Sequence, residues 1–181
     1  PKSNDFIARK IVTLGQVGED TAELVTALLA NQNSDGGWGV NPGSLSNPLD
    51  TVLALSGLNA GGVPQLARQA AWTYLTARQN PTGGFNGRGY GTGEVWTTAE
   101  VILALLPYRS QGNNEQVLEK AVQWILAQKR WNGLYSDGGN GAVETAQALR
   151  ALTRYGATVS FGRLLEQQKT DGSWEGSVYA T

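Results

Sequence analysis

The chain has 181 residues, 24 of them glycine, and contains no cysteine, histidine or methionine. Those absences exclude thiolate nucleophiles, disulfides, Cys/His zinc sites and every mechanism that needs an imidazole, a Ser-His-Asp triad included. Fourteen basic residues against fifteen acidic ones leave a net charge of −1, so no long-range field draws in nucleic acid or an anionic membrane.

From the N-terminus, residues 5–15 fit a helix, with Gly15 as the left-handed residue after its end. Asp20-x-x-Glu23 has the form of a capping box, and the helix it opens carries Leu24, Val25, Leu28 and Leu29 on one face. That helix runs into Gln32, which is followed by Asp35-Gly36-Gly37-Trp38. Asn47-Pro48 reads as an N-cap and first helical residue, with Asp50-Thr51 in the first turn behind them. The next helix closes at Gln79, before Gly83-Gly84-Phe85 and a glycine-rich loop holding Tyr90. Trp96-Thr97-Thr98 then opens a helix that is apolar almost all round from Ala99 to Leu106, which requires cover on every side. Asn113-x-x-Gln116 is a second capping-box pattern. The helix behind it places Leu118, Ala121, Val122 and Ile125 on one face, and Glu119, Lys120 and Gln123 on the other. It ends at Gln128, ahead of Trp131, Gly133, Leu134 and Tyr135. Glu144-Thr145 opens the last long helix, Gly156 follows its end, and Gln168 precedes Asp171-Gly172-Ser173-Trp174. No segment alternates as a strand, and no apolar run reaches the roughly 18 residues of a membrane helix.

These elements repeat. Gln32, Gln79, Gln128 and Gln168 are 47, 49 and 40 residues apart, and each is followed six residues later by Trp38, Phe85, Leu134 or Trp174. Thr51, Thr98 and Thr145 recur at the same 47-residue step. Each unit is therefore an amphipathic outer helix ending at the glutamine and an apolar inner helix starting at the threonine. The expected fold is all-α, one domain over residues 1–181, with eight helices in four hairpins and the connections gathered at one rim. The glutamine amides are suited to tying helix ends to the next turn, and the aromatic six residues on to stapling one unit to the next. Asp35, Asp137 and Asp171 precede glycine as Asx-turn residues do.

A glutamine followed by Gly-x-Trp or Gly-Gly-Phe at the end of an outer helix resembles the QW-type repeat of the α/α toroids. That superfamily holds terpenoid cyclases such as the squalene–hopene cyclases, protein prenyltransferase β subunits, complement-type thioester domains and transcobalamin-like cobalamin binders. The resemblance covers the chain from about residue 6 to 176 and implies an α/α toroid or partial toroid built from about four helical hairpins. The segments Thr97–Tyr108 and Glu144–Leu149 look most like the prenyltransferase-like repeat domains of bacterial secreted or surface proteins. A secreted or cell-surface setting within a larger chain is what that likeness implies.

The family's chemistries carry over unevenly. A class II terpene cyclase protonates its substrate from an Asp-x-Asp-Asp-Thr-Ala segment, and the matching stretch here is Asn47-Pro48-Leu49-Asp50-Thr51-Val52. The family's proton donor is replaced by Leu49, which has no proton to give. The prenyltransferase zinc site needs Cys and His, and the thioester needs Cys, so neither carries over. Acids are too few for a calcium site at Asp137. No metal and no cofactor is implied.

The expected function is a non-catalytic binding or interaction domain. An enzyme acting on an isoprenoid-type apolar substrate, with Asp50 or Glu144 as acid, is the alternative. A purely structural repeat module is the third reading. Candidate ligand-binding residues are Asp50, Thr97 and Glu144 at equivalent inner-helix starts, where first-turn acids also favour the helix dipole. The aromatic candidates are Tyr90, Trp96, Trp131 and Tyr135. The expected partners are an apolar or aromatic-compatible small molecule, and either a second copy or a neighbouring segment packed on the array.

Overall fold

The computed structural model describes residues 2–89, 91–137 and 141–174. Its helices are α1 (Asn4–Gln16), α2 (Ala22–Ala30), α3 (Pro48–Ala60), α4 (Gln69–Ala77), α5 (Val95–Leu105), α6 (Asn114–Ala127), α7 (Gly141–Tyr155) and the short α8 (Gly162–Leu165). A 3-10 turn leads into α4, and another, Leu106–Tyr108, extends α5. Among the described residues the only extended pairings are isolated bridges such as Trp38 with Asn47. The eight described helices form four hairpins. In the inner row α1 packs on α3, α3 on α5 and α5 on α7, while α2, α4, α6 and α8 lean against it from outside. This is the all-α, partial α/α-toroid architecture that the repeats predict.

The outer helices bury the faces their periodicity marks. Leu28 of α2 and Leu118, Ala121, Val122 and Ile125 of α6 are in the core, and Glu119, Lys120 and Gln123 are exposed. The inner helix α5 departs from expectation. It is not covered on every side, because Trp96, Glu100 and Leu103 remain on a less buried stripe.

One interaction recurs three times at the inner-helix starts. Thr51 Oγ1 accepts from Trp38 N at 3.0 Å, Thr98 Oγ1 from Phe85 N at 2.9 Å, and Thr145 Oγ1 from Tyr135 N at 2.9 Å. The hydroxyls of Thr98 and Thr145 donate back to the carbonyls of the same residues. Thr51 instead gives its proton to Asn47 O at 2.7 Å, with Trp38 O more distant at 3.4 Å. Each clamp fixes an aromatic residue of the connection onto the inner helix that follows. Trp38 adds a bond from Nε1 to Leu28 O at 2.7 Å, which secures the end of α2 as well.

The turns behind the outer helices share one hydrogen-bond pattern, and it corrects the sequence register. Asn33 N bonds Gly37 O, Asn80 N bonds Gly84 O and Lys169 N bonds Ser173 O; the third turn repeats this from Arg130 N to Leu134 O. Arg130 lies two residues after Gln128, so Lys129, not Gln128, holds the place that Gln32 and Gln79 take before their turns. Gln32, Gln79 and Gln168 donate from Nε2 to Gly36 O, Gly83 O and Gly172 O. Gln128 reaches only Trp124 O at 3.1 Å. The same shift puts Tyr135, not Leu134, in the position of Trp38 and Phe85.

Contacts from hairpin to hairpin pass through the turn glycines. Gly36 has φ +87°, and a Cβ there would stand 2.5 Å from Ala70 O of α4; at Gly83, φ +100°, it would stand 2.5 Å from Lys120 O of α6. Gln79 Nε2 also donates to Val117 O of α6 at 2.8 Å.

Capping is mixed. Asn47 Oδ1 accepts from Asp50 N at 2.9 Å, Asp20 Oδ1 accepts from Ala22 N, and Gly156 has φ +103°. Asn113 makes no side-chain cap bond, and Gly15 lies inside α1, with the left-handed turn at Gly18 instead.

Replacing Thr98 by valine leaves the buried Phe85 N–H without its acceptor and should cost about 2 kcal/mol in urea unfolding. Gly43 has φ +77° with nothing within 4 Å of a Cβ. Gly43→Ala should therefore cost only the left-handed penalty, about 1 kcal/mol, while Gly83→Ala adds a backbone overlap and should cost roughly 3 kcal/mol. Equal losses at the two glycines would show that the Gly83 turn moves freely away from α6.

Candidate functional site

The starts of α3, α5 and α7 come together at one end of the inner row. A Cβ on Gly87 would lie 3.1 Å from Glu94 Oε2 and from Thr97 Oγ1, and 3.6 Å from Leu49 Cβ, so the connection before α5 crosses the first turns of both helices. Val95 N, the first residue of α5, donates to Asp137 Oδ2 at 2.9 Å, which brings the connection before α7 to the same end. Asp137 thus caps a helix 42 residues earlier; the local Asx turn expected of it falls outside the described residues, while Asp35 and Asp171 make theirs, to Gly37 N and Ser173 N.

Asp50, Thr97 and Glu144 occupy the position before each clamp threonine, and each is engaged by its own surroundings. Asp50 is buried and accepts from Asn47 Nδ2 at 2.5 Å. Burial pushes its carboxyl up; the Asn47 bond opposes this and nearby Asp5 adds to it. Thr97 Oγ1 donates to Glu94 Oε2 at 2.7 Å. Burial likewise pushes the Glu144 carboxyl up, with a Ser136 hydrogen bond opposing and Asp137 adding. Glu144 Oε2 finds no hydrogen-bond partner among the described residues.

The aromatic candidates do not form one cluster. Trp96 is 38% exposed in the first turn of α5. Trp131 is 99% exposed beyond the end of α6, and Tyr135 is 5% exposed as the third clamped staple, so its ring belongs to the core. Tyr90 lies outside the described residues.

A different set of residues shares a face. Steps of four, three and four residues along an inner helix keep to one side, and they pick out Leu49, Leu53, Ser56 and Ala60 on α3. On α5 and its extension they pick out Trp96, Glu100, Leu103 and Pro107, and on α7 Val143, Gln147, Arg150 and Arg154. Corresponding members are 47 residues apart. Val12 of α1 lines one cavity together with Ser56 and Leu103, although α3 stands between α1 and α5 in the row. The inner row is therefore curved, and these stripes lie on its concave side.

Glu100 is the one carboxylate on the three stripes. Gln147 Nε2 donates to its Oε1 at 2.5 Å, linking equivalent positions of α5 and α7. Burial pushes the Glu100 carboxyl up, and the Arg150 and Arg9 guanidiniums pull it back. Glu100 is not among the sequence candidates, because the family's acid motif points to the helix start. The 47-residue register of Leu53, Glu100 and Gln147 is the signal that could have found it. Among the described residues no group of three or more Asp and Glu side chains could hold a metal ion, and no helix is long and apolar enough to cross a membrane.

No family model matches the chain. It is similar to a drimenyl diphosphate synthase of Streptantibioticus cattleyicolor, 37% identical over 76 residues that make up 41% of this chain and 14% of that protein. A drimenyl diphosphate synthase of Streptomyces showdoensis is 40% identical over 63 residues, 34% of this chain and 12% of the relative. The similarity therefore spans only a small part of the length of either relative. Among solved structures, the type II terpene cyclase MstE from Scytonema is 20% identical, with a TM-score of 0.44 over 94% of this chain and 69% of that one. A variant of that cyclase in complex with its substrate, geranylgeranyl dihydroxybenzoate, is 19% identical with a TM-score of 0.43 over 95% and 70%. Over the stretches matched in the two curated relatives, the chain thus resembles drimenyl diphosphate synthases. The expectation of a non-catalytic domain is corrected by the two curated relatives, both of which are synthases. That expectation rested on the missing acid at Leu49, which removes one proton donor and says nothing of others.

The raised carboxyl at Glu144 carries a pH dependence. The folded state holds its proton more tightly than the unfolded chain does. Its stabilising contribution is full below the ordinary glutamate range and is lost as pH rises through the folded value. Glu144→Gln should therefore melt higher than the parent at pH 7, with the difference vanishing near pH 4, as followed by circular dichroism. A lower melting point at pH 7 would mean that the helix-start charge outweighs burial.

Proposed function

We propose that the chain is the whole or part of an enzyme acting on an isoprenoid-type apolar substrate, with the concave side of the inner row as the substrate wall. The observation that carries this reading is the stripe of Leu49, Leu53, Trp96, Leu103 and Val143, which leaves apolar side chains incompletely covered around one half-buried carboxyl, Glu100. The likeness to the two drimenyl diphosphate synthases supports it, and those names make an isoprenoid diphosphate the substrate class to test first.

Glu100 is the acid of this proposal. Asp50 is tied to Asn47, and Glu144 faces Ser136 and Asp137 of its own connection, so neither stands on the concave stripe. Gln147 bonds Glu100 Oε1, which leaves Oε2 to carry the proton. Burial keeps that proton on at a pH where an exposed glutamate has lost it, and the flanking Arg150 and Arg9 keep the group acidic. In the step proposed, the proton passes to one carbon of a C=C bond, whose electron pair forms the new C–H bond. The resulting cation is closed by the next C=C, and loss of a proton from carbon to the carboxylate or to water restores neutrality. The net change is an isomerisation that needs no oxidant or co-reactant.

Incubation with a fifteen-carbon isoprenoid diphosphate should give a cyclic isomer detectable by mass spectrometry. Glu100→Gln should lower the rate at least about 100-fold, as for loss of a general acid, while Asp50→Asn leaves it within a few-fold. The rate should fall as pH rises through the Glu100 value, since only the protonated form acts. Turnover that survives Glu100→Gln would remove Glu100 as the acid, and absence of both turnover and binding would remove the reading itself.

A further inference from the structure

The concave side is not uniform along its length. From Leu49 to Ala60 the stripe of α3 covers 11 residue steps, about 16 Å at the helical rise of 1.5 Å per residue. At its far end, where α3 and α5 finish, lies a cavity of about 260 Å³. Val12 of α1, Ser56 and Ala60 of α3, and Leu103, Pro107 and Tyr108 at the end of α5 contribute to its walls. Most of these side chains are apolar. The Tyr108 ring is held in place by stacking on Trp72, 6.1 Å between centroids, and by the Arg68 guanidinium 5.3 Å above it.

The volume decides what such a cavity can take. Sites that enclose a complete drug-sized ligand run from about 300 to 1,000 Å³, whereas about 150 Å³ of apolar space suffices for a benzene molecule. A cavity between these limits suits the end of a chain rather than a whole amphiphile. It is also continuous with the stripe, because Ser56 and Leu103 belong to both. Ser56 and Ala60 are the small residues of the α3 stripe, and both are exposed, so the cavity stays open because these two side chains are short.

We propose that this cavity receives the apolar end of the isoprenoid chain, and that Ser56 and Ala60 set the length of chain the concave face accepts. The inference rests on the reading of the concave side as an isoprenoid wall and adds the direction of the ligand, its hydrocarbon end at the finish of α3 and α5. Burial of each further CH2 is worth about 0.8 kcal/mol, so lengthening a chain that reaches the cavity should strengthen binding steeply.

The test is calorimetric titration of the full chain with isoprenoid alcohols of ten, fifteen and twenty carbons. For the parent, affinity should rise at least tenfold from the shortest to the longest. Ala60→Phe, which puts a ring into the cavity at an exposed site, should bind the ten-carbon alcohol within twofold of the parent and lose the gain on the longer ones. Ser56→Leu should act in the same sense from the other turn of α3, and circular dichroism of both variants checks that the helices remain. A parent that binds all three alcohols, with unchanged length dependence in both folded variants, would overturn the cavity assignment and leave the isoprenoid wall standing. A parent that binds none of them would overturn both.

Discussion

A threonine hydroxyl can accept one hydrogen bond and donate another, and this fold uses both abilities at a single backbone residue. Where Thr98 meets Phe85 and Thr145 meets Tyr135, the hydroxyl accepts from the buried N–H of an aromatic residue and adds a bond to its C=O, which at Phe85 also accepts from Glu94 N. The connection enters the core at that point, the aromatic ring follows it, and the inner helix starts from a fixed place. The apolar burial that dominates stability is enabled by a polar contact that makes backbone burial tolerable. Because the clamp recurs three times, the inner helices share a common start. The side chains one turn in then line up across the row.

That alignment makes the concave side legible as a surface. Leu53, Glu100 and Gln147 fall at one level because their helices are pinned at Thr51, Thr98 and Thr145, two residues before each. A carboxylate and an amide on neighbouring helices can then meet at hydrogen-bonding distance, as Glu100 and Gln147 do. The regular backbone provides positions, and the sequence varies at those positions to set the chemistry. The same logic explains why Asp50 and Glu144 are poorer candidates for work on a ligand. They sit next to the clamp itself, where burial and local bonds already claim them.

Much of the architecture is readable from residue order alone. The two helix classes, their pairing and the identity of Thr51, Thr98 and Thr145 follow from period and spacing, because those residues act within their own unit. The errors arise where an interaction crosses units or where a matching residue type stands one position out of register. Lys129 takes a place the glutamine pattern assigns to Gln128, because a matching residue type is a weaker signal than a turn's hydrogen bonds. That shift moves Tyr135 from an open aromatic candidate to a core staple. Glu100 is hidden in a helix that looks apolar all round, since composition does not say which side of α5 the curved row leaves uncovered. The bond of Asp137 to the start of α5 is not legible in the sequence because its partner, Val95 N, is 42 positions away.

The Asp137 contact has a consequence for how such arrays can change. A repeat whose bonds all close internally can be duplicated, deleted or exchanged as a block. Here the start of α5 is finished by a carboxylate supplied from the following unit, and the turns at Gly36 and Gly83 are seated on the next outer helix with no room for a side chain. The second and third hairpins are thus neither separable nor interchangeable, although their threonines repeat to the residue. Any lineage that lengthened or shortened this array would have had to rebuild such a contact at the new junction, because one runs from each of the first two hairpins to the next.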